Sequence, residues 1–213
     1  MACIPYQKSC LAVIITLSLL LVNATQARAV QKTILAFGDS LTAGYGIPRE
    51  RAFPAQLEQE LQKQSYSITV INAGVSGDTT SGGLTRLEWA LAQHPNFVIL
   101  ELGANDMLRG IDPAITRANL RKMLKILQKQ KIPVLLAGMK ATPNLGPAFL
   151  TSYQKMYQTL AKEYDAVYYP FFLEGTALQT NLIQDDGLHP NAAGVAVIVQ
   201  HILPSVKKLL EKK

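Results

Sequence analysis

The chain has 213 residues, of which 48% are hydrophobic, and its 21 basic and 15 acidic side chains give a net charge of +6. So mild an excess does not point to nucleic acid, and the length fits one domain with a substantial core behind a short leader. The two cysteines, Cys3 and Cys10, both lie in that leader, so the rest of the chain has no disulfide and no cysteine ligand.

The leader comes first. Lys8 supplies a basic n-region, Leu11 to Val22 is a mostly apolar run, and Ala27-Arg28-Ala29 offers the small residues a signal peptidase needs. The run falls short of the roughly 20 residues of a membrane-spanning helix. Asn23, Thr25 and Gln26 make its far end polar, which weighs against the alternative of an uncleaved anchor. Residues 1–29 are read as a signal peptide and residues 30–213 as one exported domain, periplasmic or secreted. No cysteine follows the apolar run, so a lipid anchor is not expected. Lys207, Lys208, Lys212 and Lys213 gather at the C-terminus, where they complement a helix dipole. Contact with a membrane surface is expected to be weak at most.

Strands and helices then alternate. Thr33 to Phe37 is a short apolar run stopped by Gly38, as in a strand buried on both faces. Phe53, Leu57 and Leu61 repeat at helical spacing. Ile68 to Ile71 is the second strand and leads into a loop from Asn72 to Thr80; Leu84, Leu87 and Leu91 mark the next helix. Phe97 to Leu102 is the third strand, running into Gly103-Ala104-Asn105-Asp106. Asp112-Pro113 is a helix start, a capping carboxylate followed by proline, and Ile115, Leu120, Met123, Leu124 and Leu127 supply the buried stripe. Pro133 to Gly138 holds the fourth strand, Phe149 to Tyr164 a helix, and Ala166 to Tyr169 the fifth strand. From Asn191 onward Val195, Val199, Ile202, Val206 and Leu209 keep helical spacing, with Pro204 expected to kink or interrupt it.

This alternation predicts a single α/β domain: a five-stranded parallel sheet with helices on both faces, joined by right-handed crossovers. In such a sheet ligands sit beyond the carboxyl ends of the strands. Gly38-Asp39-Ser40, Gly74 to Asp78 and Gly103 to Asp106 all follow predicted strands, so three polar loops converge on one rim.

A serine at such a rim needs a base to become a nucleophile, commonly a histidine oriented by a carboxylate. Asp186 and His189 stand three apart on one loop and can serve as orienter and base for Ser40. The remaining histidines, His94 and His201, lie near a helix end and within the last helix, and neither adjoins a carboxylate in a loop. Acyl transfer also needs donors for the oxyanion of its tetrahedral intermediate. Gly77 can offer a backbone N–H that no side chain obstructs, Asn105 its amide, and Ser40 its own N–H. Each of these residues is also ordinary turn chemistry, as Asp185, Asp186 and Asn191 are ordinary helix-capping chemistry. Four loops meeting at one rim favour the catalytic reading.

Competing sites lack their parts. No Gly-x-Gly-x-x-Gly follows the first strand and no phosphate-cradling Gly-x-x-x-x-Gly-Lys is present. Thr42 stands where the nucleophile elbow of α/β-hydrolases has glycine. Asp39, Asp78, Asp106, Asp185 and Asp186 have only His189 as a nearby imidazole, so neither a metal nor a cofactor is expected.

Gly38-Asp39-Ser40-Leu41, Gly77, Gly103-x-Asn105-Asp106 and Asp186-x-x-His189 resemble the four blocks of the SGNH, or GDSL, hydrolases, in order and spacing. The resemblance spans residues 30–213. It is nearest the branch of exported bacterial acyl-CoA thioesterases, lysophospholipases and arylesterases, whose extended motifs Ser76-Gly77-Asp78-Thr79 and Gln184-Asp185-Asp186-Gly187-x-His189-Pro190 resemble. It implies a flavodoxin-like sheet, a Ser40-His189-Asp186 triad and an oxyanion hole from Ser40, Gly77 and Asn105. It further implies action on small acyl esters, thioesters or lysophospholipids; a monomer with no nucleic-acid partner is expected. The loop from Ala141 to Pro147 departs from that branch, so acyl-length preference does not carry over. Met107, Leu108, Met139, Leu145 and Phe149 favour acyl chains over the polar groove of a carbohydrate or peptidoglycan deacetylase. A non-catalytic binding domain on the same sheet is the third reading.

Overall fold

The computed structural model describes Met1 and residues 31–212. The expected signal peptide, apart from Met1, lies outside the described residues, with Cys3, Cys10 and the expected cleavage point after Ala29. Five parallel strands form one sheet in the order β2-β1-β3-β4-β5. They are β1 Lys32–Gly38, β2 Ile68–Gly74, β3 Phe97–Glu101, β4 Val134–Ala137 and β5 Val167–Tyr169. β3, β4 and most of β1 are buried residue by residue, which is why β4 and most of β1 read as continuous apolar runs, while β3 is apolar up to Leu100 and ends in a buried Glu101.

The helices are α1 Ser40–Ala43, α2 Phe53–Lys63, α3 Thr80–Leu91, α4 Ala104–Leu108, α5 Pro113–Lys129, α6 Pro147–Glu163 and α7 Ala192–Glu211. α2 packs with α7, and α3 with α5 and α5 with α6, giving the three-layer α/β/α arrangement expected. Phe53, Leu57 and Leu61 of α2 are fully buried, and Val195, Val199, Ile202, Val206 and Leu209 of α7 face the same core. α5 starts as its sequence predicts, the Asp112 carboxylate accepting the Ala114 N–H.

Three expectations need correction. β2 continues past Ile71 to Gly74, because Asn72, Ala73 and Gly74 pair with Ala36, Phe37 and Gly38 of β1. Asn72 behaves as a turn residue only through its side chain, which accepts the Gly74 N–H. α7 is not interrupted at Pro204, where packing of the apolar face on both sides outweighs one missing N–H. Ile115 is half exposed rather than part of the buried stripe. Thr116 and Asn119 take the inward positions instead, where they bond to Asp106 and Thr80.

The chain runs from β1 out to β2, then returns past β1 to β3. That reversal opens a crevice at the carboxyl ends of β1 and β3, where an open α/β sheet binds its ligands.

Candidate active site

β1 delivers Ser40 to this crevice through a very tight corner. A side chain on Gly38 would lie within 2.2 Å of the Thr42 hydroxyl and 2.4 Å of the Glu101 carboxyl, so only glycine fits. Asp39 caps α1, its Oδ1 accepting the Leu41 N–H at 3.0 Å. The Ser40 hydroxyl stands 2.9 Å from His189 Nε2, and His189 Nδ1 stands 2.6 Å from Asp186 Oδ2. A carboxylate can only accept, so Nδ1 carries the proton and Nε2 faces Ser40 as acceptor. Asp186 Oδ1 also accepts the N–H groups of His189 and Leu188, both at 2.9 Å. Those two donors hold the Asp186 carboxyl down to about 2, so it stays ionised.

Two residues to which the sequence reading assigned no role hold the His189 loop. The Gln184 N–H donates to the His189 carbonyl, and its amide donates to the carbonyls of Tyr45 at 2.8 Å and Pro190 at 2.9 Å. Tyr45, just past α1, lays its ring 4.6 Å from the imidazole. Gln184 thus ties the segment after the serine to the segment carrying the histidine. The only sequence signal for this was its place in the Gln184–Pro190 motif.

Across the crevice, Gly77 sits at φ +80°, a backbone conformation that favours glycine, and its carbonyl accepts from Arg109 at 2.8 Å. Among the described residues, neither the Gly77 nor the Ser40 N–H is taken up by a protein acceptor. The Asn105 amide donates to Asp39 Oδ2 at 3.1 Å. A carboxylate partner fixes which end of that amide is the NH₂ group. Burial pushes Asp39 up to about 6, against the lowering effect of the Leu41 and Asn105 donors.

Ser40, Gly77, Asn105 and His189 share one cleft of about 360 Å³. Met107, Leu108 and Met139 line it as expected, joined by Phe171 and Leu178. Leu145 and Phe149 do not; Phe149 stacks on Tyr153 and borders a separate hollow of about 520 Å³ between α5 and α6. Asp78 and Asp106 of these loops are spent on separate partners. Asp78 pairs with Arg86 at 2.7 Å, and Asp106 accepts from the N–H and hydroxyl of Thr80 and from Thr116. His94 and His201 are exposed and do not line the cleft.

The profile of the GDSL-like Lipase/Acylhydrolase family matches residues 36–197, a span that takes in Ser40, Gly77, Asn105, Asp186 and His189. The chain belongs to that family. It is 37% identical over 200 residues to Esterase TesA of Pseudomonas aeruginosa, covering 93% of this chain and 99% of the relative. It is 40% identical over 174 residues to the Thioesterase 1/protease 1/lysophospholipase L1 of Escherichia coli K12, covering 81% and 82%. The crystal structure of AlinE4, an SGNH-hydrolase family esterase, superposes with a TM-score of 0.72 at 47% identity, covering 84% of this chain and 97% of that one. The family's fold and the expected SGNH architecture therefore coincide here.

Proposed function

We propose that this protein hydrolyses carboxylic esters and thioesters of acyl groups through an acyl-enzyme on Ser40. His189 takes the Ser40 proton as the serine oxygen attacks the acyl carbonyl, and Asp186 steadies the imidazolium that forms. The oxyanion rests against the N–H groups of Ser40 and Gly77 and the Asn105 amide. Protonated His189 then gives its proton to the departing alcohol or thiol. Water, deprotonated by the same imidazole, releases the acid and frees Ser40.

The observation that carries this reading is the continuous line Asp186–His189–Ser40, with contacts of 2.6 and 2.9 Å, opening into an apolar cleft. The relatives named as esterase and thioesterase support the same reaction class, and the apolar lining favours acyl chains over sugars. Every proposed site residue comes from one chain, so a monomer suffices. The leader reading places the enzyme outside the cytoplasm, with a mature chain starting at Val30 that mass measurement of the exported protein checks.

Ser40→Ala tests the mechanism. Turnover of p-nitrophenyl esters should fall by roughly a millionfold while the circular dichroism spectrum is unchanged. Full activity in that variant would sink the assignment. A panel of octanoyl and palmitoyl esters against acetylated sugars should favour the acyl esters.

A further inference from the structure

Directly behind Ser40 lies a buried carboxyl that the proposed mechanism does not use. Glu101 ends β3 opposite Gly38 of β1 and is fully buried. Its Oε2 accepts the Thr42 hydroxyl at 2.7 Å and the Asp39 N–H at 3.3 Å. Its Oε1 has no partner among the described residues. We propose that Glu101 is a positioning residue acting as an uncharged carboxylic acid: it clamps the chain on both sides of Ser40 and leaves the charge of the buried pair to Asp39, which grips the Asn105 amide.

The neighbouring charges support this division. Arg86 on α3 approaches the corner, but its Nε pairs with Asp78 and its other nitrogens donate to the carbonyls of Ala73 and Gly38. From α6, Tyr157 offers only a hydroxyl, and it donates to the Leu102 carbonyl at 2.9 Å. His189 acts on Asp39 from the far side of the corner. Glu101 therefore faces Asp39, a like charge, with no cation of its own among the described residues. A buried carboxylate without a counter-ion gives up its charge by taking a proton. Asp39 differs, because both its oxygens accept N–H donors, from Leu41 and Asn105, and such donors favour the ionised form. Burial and the Asp39 charge accordingly hold Glu101 well above the ordinary carboxylate range, while Asp39 rises only to about 6.

The test compares wild type with Glu101→Ala and Glu101→Gln in kcat and KM for an acyl p-nitrophenyl ester, and in denaturant stability from pH 6 to 8. Glu101→Ala removes the acceptor shared by Thr42 and Asp39, so kcat should fall by roughly tenfold or more with KM changed far less. Glu101→Gln keeps an uncharged acceptor of the same shape and should restore most of that loss. Equal impairment of the two variants, or an unchanged kcat in Glu101→Ala, overturns the assignment. In the stability arm, Glu101 is protonated when folded and ionised when unfolded. The folding equilibrium constant of wild type relative to Glu101→Gln should thus fall as pH rises, by up to the roughly tenfold per pH unit that one extra bound proton allows. A ratio independent of pH means an ionised Glu101 and overturns the proposal. The kinetic arm rests on the hydrolase reading, whereas the stability arm needs neither substrate nor the Ala variant. Failure of that arm is therefore distinct from failure of Ser40 as nucleophile.

Discussion

Asp39 precedes the nucleophile, yet neither of its oxygens touches Ser40; one caps α1 and the other takes the Asn105 amide. An amide looks nearly the same from both ends, so a residue that can only accept is what keeps its NH₂ side in place. Asp39→Asn removes that restriction, since the new side chain can present NH₂ to Asn105 and let the Asn105 carbonyl turn toward it. The oxyanion would then lose a donor, and kcat should fall by about a hundredfold or somewhat more, with KM nearly unchanged. Steady-state kinetics check this, and a variant with wild-type kcat would remove Asn105 from the oxyanion hole or Asp39 from its support. Neither link was legible in the sequence, where Asp39 is one letter of a motif. Contacts between positions 39, 101 and 105 are made only when β1 and β3 pair.

At the scale of elements the sequence was legible wherever local chemistry punctuates the chain. Asp112-Pro113 opens α5, Asn191 caps α7, and an apolar run ending in glycine marks β1. What misled was local chemistry serving a distant partner. Asn72 looks like a turn and lies within a strand; Ile115 fits a helical stripe whose inward place goes to Thr116 for the sake of Asp106. The loop that carries Asn105 shows the same dependence. Tyr153 and Tyr157 of α6 donate to the carbonyls of Gly103 and Leu102, holding the β3–α4 loop from across the sheet. Tyr157→Phe leaves the buried Leu102 carbonyl unpaired and should cost about 1–3 kcal/mol of stability. Urea denaturation measures it, and a loss well under 0.5 kcal/mol would show that the carbonyl finds another donor.

For the whole molecule, the sheet order that creates the crevice also buries two carboxyls at its base, and this shapes stability across pH. Asp39, raised to about 6, and Glu101, raised well above its ordinary value, bind more protons folded than unfolded at neutral pH. Their effect is to make the fold more stable as pH falls from the neutral range toward the ordinary carboxylate range near about 4. Asp186, held down to about 2 by its backbone donors, works the other way, as do Glu60 and Glu163, lowered by hydrogen bonds from Gln64 and Arg121. Their stabilisation is complete above their unfolded values and is lost as pH drops through the folded ones. The two sets together place the stability maximum at mildly acidic pH, between about 4 and 6. Thermal unfolding from pH 3 to 9 should trace a dome with its top in that window. Replacing Glu101 by glutamine should flatten the neutral side and leave the acid side alone, because the groups that fail in acid lie elsewhere. A wild-type melting temperature that climbs steadily to pH 8 would mean that Asp39 and Glu101 are both ionised in the fold.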